Sequence, residues 1–96
     1  MVQKETHYER NPSHIFRKVV DEFILVPIHQ DMADMDSIYT LNGVGAFIWE
    51  HLDQPRTQAE LLAALLEEFA ADPDVIAADL ERFLDEMTTI RALKKV

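Results

Sequence analysis

The pattern of hydrophobic and polar positions changes period once, within residues 38–52. Up to Leu41 the side chains are β-branched, aromatic or apolar, as is typical of a strand on a half-buried sheet. Beyond Asn42, which can cap a helix, apolar residues recur three or four positions apart. We therefore predict a strand that runs directly into a helix, with the only two glycines of the chain, Gly43 and Gly45, at the junction.

Two further strands are predicted before this junction. Residues 14–20 and 22–28 are short runs rich in Ile, Val and Phe, and an acidic pair separates them. This pattern favours a β-hairpin. Pro27 lacks a backbone donor, so we expect it at the end of its strand or on an edge. Residues 29–36 are predicted to form an acidic connection to the third strand.

Two more helices are predicted after the junction. Thr57 and Glu60 have the spacing of a capping box, which places the start of the second helix at Thr57 and its end near Ala70. Asp72 and Pro73 supply a cap and a first-turn proline for the third helix. Its apolar stripe is long enough for about four to five turns.

The two ends of the chain carry weaker patterns. Residues 1–13 are polar and have no hydrophobic period, so we predict a flexible N-terminal arm, with residues 14–96 forming one domain. The last residues, 93–96, either add a short strand or pack a leucine against the core. The pattern leaves both alternatives open.

The order of the predicted elements indicates the fold class. Three strands followed by three helices favour an α+β domain, in which a three-stranded antiparallel sheet carries the helices on one face. Because the links between the helices are short, a winged helix-turn-helix-like arrangement is predicted.

Composition narrows the kinds of site and partner that the chain can have. The chain has no cysteine, which removes disulfides, thiolate metal sites and a cysteine nucleophile. It has 18 acidic and 9 basic residues, and a net charge of −9 disfavours nucleic acid as a partner. The sequence shows neither a membrane span nor a signal peptide, so a cytoplasmic protein is expected, either a monomer or a small oligomer such as a homodimer.

No catalytic or metal site is indicated. The four histidines, His7, His14, His29 and His51, lack the helical spacing of a metal motif. The adjacent carboxylate pairs lie on solvent-facing turns; these pairs are Glu67 with Glu68 and Asp85 with Glu86. We therefore predict no cofactor and no enzymatic activity. Trp49 is expected to pack in the core rather than to act as a binding anchor.

Several short motifs, in order, resemble the PqqD family of peptide-recognition domains. The resemblance covers roughly residues 23–90 and is carried by the matches Leu41-Asn42, Gly45-Ala46, Ile48-Trp49, Thr57 and Phe83-Leu84. The chain departs from the family in two places. Residues 32–37 replace a shorter turn typical of the quinone-pathway member, and Ala92-Leu93 stands where most relatives have Gly-Leu.

The resemblance implies a non-catalytic adaptor. Such domains bind the leader segment of a ribosomally made precursor peptide and present it to a modifying enzyme, often a radical S-adenosylmethionine protein. In this family the leader adds as a strand to the edge of the third strand, in the groove beside the third helix.

A peptide site at this place is also physically reasonable. An exposed strand edge has unpaired amides and carbonyls that a flexible peptide can satisfy, and a helix beside it can supply pockets. Arg82 could pair with an acidic leader residue, and Asp79 or Glu86 with a basic one; an ordinary solvated face is the alternative. The predicted site consists of Ile38, Tyr39, Thr40 and Leu41 on the strand and Val75, Asp79, Arg82, Phe83 and Glu86 on the helix.

Two other functions fit the predicted fold. A winged-helix DNA-binding regulator would need basic or amide side chains on its recognition helix, and the second and third helices are mainly acidic. A structural subunit could use the same sheet edge to join a larger assembly.

Overall fold

The computed structural model of the chain describes residues 6–20, 22–28 and 38–96. Within these ranges the strands and helices are β1 (His7–Arg10), β2 (His14–Val19), β3 (Glu22–Pro27), β4 (Tyr39–Leu41), α1 (Gly43–His51), β5 (Arg56–Thr57), α2 (Gln58–Glu68), α3 (Pro73–Thr89) and β6 (Leu93–Lys95). No helix in these ranges is long and apolar enough to cross a membrane.

The predicted α+β class and three-stranded antiparallel sheet are confirmed. The strand order is β2-β3-β4, and β3 pairs antiparallel with both neighbours. Pro27 is the last residue of β3 and lies opposite His14, so its missing donor falls at the strand end as expected. The predicted acidic connection, residues 29–36, lies outside the described residues.

All three helices begin at the predicted caps. The Asn42 side chain accepts a hydrogen bond from the Gly45 amide at 2.8 Å, which starts α1 directly after β4. At α2, Thr57 and Glu60 form the complete capping box. The bond from the Thr57 amide to the Glu60 carboxylate lowers the pKa of Glu60 below its usual value. Asp72 accepts from the amide two residues on, and Pro73 opens α3.

One hydrophobic core contains side chains from all three helices and from both sheets. Most residues of the apolar stripes predicted for the three helices face inward. The prediction is wrong for Leu66, which was placed on the inner stripe of α2 and is 40% exposed, while Leu61, expected beside the stripe, is fully buried. The largest fully buried side chains are Leu25, Ile48, Leu52, Leu61, Leu65, Leu80, Leu84, Met87 and Leu93.

A second sheet includes part of the segment that was predicted to be a flexible N-terminal arm, whose residues 1–5 lie outside the described residues. Residues His7–Arg10 form β1, the central strand of a sheet with the order β5-β1-β6. Tyr8 is 8% exposed and belongs to the core, and a 3.2 Å ion pair joins Lys94 to Glu9. The arm was predicted because a four-residue strand with one apolar side chain has no recognisable period. Its partners are remote segments of two and three residues, which local patterns cannot identify.

The C-terminal tail forms a short strand and also packs a leucine against the core, so both alternatives left open by the pattern occur. Leu93 is buried in the core and also starts β6, which pairs with β1. The turn before it ends α3 with a Schellman motif, in which the Ala92 amide donates to the Met87 carbonyl at 2.8 Å. Arg91 occupies the left-handed position of this motif, with φ of 66°, where glycine is the usual residue.

The second sheet predicts that Tyr8 is a stabilising residue. Replacing Tyr8 by Ala should lower the free energy of unfolding by about 3 kcal/mol, because a large buried side chain is removed from the core. Urea denaturation followed by circular dichroism measures this change. Thr6→Ala, at an exposed position just before β1, is the control and should stay within about 0.5 kcal/mol of the wild type. An equally small effect for Tyr8→Ala would favour a flexible arm.

The positive φ of Arg91 predicts a stabilising substitution. Arg91→Gly should raise the free energy of unfolding by about 0.5 to 1 kcal/mol, because glycine removes the steric cost of the left-handed conformation, and this gain exceeds the loss from the entropy that glycine adds to the unfolded chain. Arg91→Ala removes the same charge but keeps a Cβ, so it should give no such gain. Equal stabilities of the two variants in chemical denaturation would contradict the explanation.

Candidate functional site

The outer edge of β4 is the first component of the site. On one side β4 pairs with β3, and among the described residues no strand pairs with its other side. Ile38, just before the strand, is 52% exposed, and Thr40 is also exposed. Tyr39 and Leu41 face the opposite way and pack on the core. The outer edge of β4 is therefore open to backbone pairing, with exposed side chains on one face of the strand and buried side chains on the other.

A pocket at the end of β4 is the second component. It has a volume of about 120 Å³ and lies between the first turn of α1 and the middle of α3. Four of the five predicted site residues on the third helix line it together, namely Asp79, Arg82, Phe83 and Glu86. The other lining residues are Asn42, Val44 and Gly45. The pocket can take one side chain of moderate size from a peptide lying along β4.

The two helices meet closely beside this pocket. A Cβ on Gly45 would lie 3.1 Å from a ring carbon of Phe83 and 3.3 Å from the Asn42 side chain. Only a residue without a side chain allows this approach unless the Phe83 ring moves. The Phe83 ring, which is 9% exposed, thereby becomes the apolar floor of the pocket.

Charge at the pocket mouth has both signs. The Arg82 guanidinium lies 3.8 Å from the Asp79 carboxylate, and both side chains are largely exposed, at 69% and 40%. Such a pair stabilises the fold by less than about 1 kcal/mol. Glu86 adds a second carboxylate, so the pocket carries one positive and two negative groups. The charged groups are thus available to a peptide at little cost to the fold.

The remaining predicted site residues lie around rather than in the pocket. Val75 is 53% exposed on α3, one turn before Asp79, and does not line the pocket. Leu41 is 6% exposed, so only its backbone could meet a peptide. Asn42 and Gly45 were expected only at the strand–helix junction, and Val44 was not expected in the site. Their contribution could have been found because α1 starts where β4 ends, which places its first turn beside the strand edge.

Trp49 packs in the core as predicted. It is 2% exposed, and the Phe16 ring stacks against it at 6.4 Å between centroids. The Arg10 guanidinium covers its ring at 5.3 Å and also donates to its backbone carbonyl, with a shortest distance of 2.6 Å. Partial burial lowers the pKa of Arg10. This cluster ties β1 to the end of α1.

The described ranges of the chain contain no group of three or more His, Asp or Glu residues placed to hold a metal ion. The adjacent carboxylates Glu67 and Glu68 are both exposed near the end of α2.

Comparisons with known proteins relate this architecture to a family. A solved structure with a similar fold is described as TbiB1 in complex with the TbiA(beta) leader peptide. It has a TM-score of 0.71 and 21% sequence identity, and the match covers 90% of this chain and 94% of that chain. No curated protein gives a significant match. The family model of Coenzyme PQQ synthesis protein D (PqqD) matches residues 22–92, so the chain belongs to the PqqD family.

Proposed function

We propose that the protein is a non-catalytic adaptor that binds the leader segment of a ribosomally synthesised precursor peptide. The observation that carries this proposal is the open edge of β4 beside the pocket between α1 and α3. Membership of the PqqD family and the fold shared with TbiB1, whose structure contains a leader peptide, support the same role.

Strand addition explains how a flexible peptide is held. Its backbone pairs with the free amides and carbonyls of β4, and this pairing is insensitive to sequence. Side chains at alternate positions then point either toward α3 or away from it. Those directed toward α3 reach the pocket floored by Phe83, which gives the site its selectivity.

The charges at the pocket mouth select the leader further. Arg82 pairs with a leader carboxylate in place of Asp79, while Asp79 or Glu86 receives a basic leader residue. Because these groups are exposed, each contact contributes modestly and mainly sets the register of the peptide.

Chemical modification of the peptide belongs to a separate enzyme. The adaptor brings the leader to this enzyme, and a radical S-adenosylmethionine protein is the partner we propose. Any metal or cofactor chemistry is then supplied by the partner. We place the complex in the cytoplasm because the precursor is made by ribosomes there. A homodimer is compatible with the proposal but is not required by it.

A winged-helix DNA-binding regulator is less well supported. The α2 helix has no Lys or Arg, and Arg82 is the single basic residue of α3. Phosphate binding would have to overcome repulsion from the many carboxylates on these helices. A structural subunit remains compatible with the free β4 edge, and a specific leader interaction separates it from the adaptor.

The proposed binding mode predicts where the leader touches the domain. Titrating the ¹⁵N-labelled protein with the N-terminal segment of the small peptide encoded nearest its gene should shift amide signals of residues 38–45 and 75–86. The reason is that strand pairing and pocket filling change the environment of those amides. An unrelated peptide of equal length is the control. Shifts confined to other regions would contradict the site assignment.

The proposed contact of Arg82 with the leader predicts that reversing the charge at this position weakens leader binding. Arg82→Glu should weaken binding of a leader with an acidic anchor by about fivefold, because one attractive contact becomes repulsive. Isothermal titration calorimetry measures the change. Lys95→Glu, on the second sheet, alters the net charge by the same amount and should leave affinity unchanged. Equal losses for both variants would indicate long-range charge rather than a local contact.

A further inference from the structure

The β2-β3-β4 sheet has a second face that points away from the core. Its inner face carries Phe16, Phe23, Leu25, Tyr39 and Leu41, all packed on the core. The strand register places the alternate residues together on the other side. We call this the outer face; it consists of Ile15, Arg17, Val19, Glu22, Ile24, Val26 and Thr40, and the alternation extends it to Ile28 and Ile38.

The outer face is aliphatic and accessible. Ile15, Val19, Ile28 and Ile38 are 40%, 49%, 57% and 52% exposed, and Ile24 and Val26 lie half-buried between them. Half of the eight large hydrophobic residues that are exposed in the described part of the chain therefore lie on this one face. The largest apolar patch on a protein is often functional, and these side chains form such a cluster.

The outer face is also close to neutral. Its charged residues are Arg17 and Glu22, whose charges cancel, whereas the whole chain has a net charge of −9. A partner with an aliphatic surface can approach here without meeting the acidic field of the helices. The isolated Arg17 between Ile15 and Val19 favours a partner carboxylate opposite it.

The size of the outer face argues against a second copy as the occupant. Three strands and up to six residues per strand span about 14 Å by about 20 Å, on the order of 300 Å². A stable interface buries about 800 Å² on each partner. Two copies meeting through this face alone would therefore fall well short of a stable dimer.

The proposed leader strand would enlarge this surface. A peptide paired with the free edge of β4 becomes a fourth strand of the same sheet. Its side chains that do not point toward α3 lie beside Ile38 and Thr40, in the plane of the outer face. The area open to a partner then includes the adaptor and the peptide together.

We propose that the outer face and the outward-pointing side chains of the bound leader form one composite docking surface for the peptide-modifying enzyme. The inference rests on the proposed adaptor function. The matching surface of the enzyme is a flat aliphatic patch with a carboxylate opposite Arg17. Because the bound leader adds a fourth strand and its outward side chains to the contact surface, the enzyme binds the adaptor–leader complex more tightly than the free adaptor. By thermodynamic linkage the enzyme also tightens leader binding.

The experiment separates enzyme docking from leader binding. Ile15→Glu places a charge on β2, two strands away from the free edge of β4, and Leu66→Glu makes the same change on α2. Both side chains are 40% exposed in the wild type, so the two variants are matched. The peptide-modifying enzyme encoded beside the gene is titrated onto each adaptor, with and without the N-terminal segment of the small peptide encoded nearest the gene.

The expected result is specific to one variant and one binding step. Ile15→Glu should weaken enzyme binding to the adaptor–leader complex by about tenfold or more, since a buried unpaired charge disrupts an interface. Leader affinity should stay within about twofold of the wild type. Leu66→Glu should leave both affinities unchanged.

Three results would overturn the inference. The first is normal enzyme binding by Ile15→Glu. The second is a wild-type dimer that Ile15→Glu converts to a monomer, which would make a second copy the occupant. The third is a larger loss of melting temperature in Ile15→Glu than in Leu66→Glu, which would indicate that this chain itself covers the face. Failure of the wild type to bind the leader would instead refute the adaptor function.

Discussion

The contact between the first turn of α1 and the Phe83 ring of α3 is the constraint on which the candidate site depends. Asn42 caps α1 immediately after β4, so the direction of the helix is tied to that of the strand. Gly45 then lets α1 approach Phe83 closely. The small pocket between α1 and α3 therefore lies at Asn42, the residue that follows the last residue of β4. A side chain at position 45 would have to displace the ring that forms the pocket floor.

The two sheets have different roles in the fold. The β5-β1-β6 sheet brings together the beginning of the described chain, the start of α2 and the C-terminal tail. Arg10 and Trp49 fasten this sheet to the end of α1 through a hydrogen bond and a cation–π contact. The β2-β3-β4 sheet is thereby left to present surfaces, since one face completes the core while its edge and other face stay accessible.

Charge is distributed in a way that suits peptide recognition. The acidic excess is carried largely by the exposed faces of α2 and α3, which disfavours phosphate binding there. In the proposed binding mode, recognition along β4 depends on neutral backbone groups, and the mixed charges around Arg82 adjust it locally. The outer face is nearly neutral, so the proposed contact with the enzyme involves little net charge.

The amino-acid sequence by itself determined the local structure. The caps at Asn42, Thr57 and Asp72, the helical stripes and the hairpin depend on residues near one another in the chain, so their patterns could be read directly. Helical spacing also placed Val75, Asp79, Arg82 and Glu86 on one side of α3, and three of these four residues line the pocket.

Only the tertiary structure decided the remaining features. His7–Arg10 lies between β5 and β6, and the first turn of α1 lines the pocket. Ile38 lies on the exposed side of β4, whereas Tyr39 packs on the core. Each of these depends on backbone pairing or packing between remote segments that are short and individually featureless. Such pairings gain their free energy from the assembled core, which no local pattern encodes.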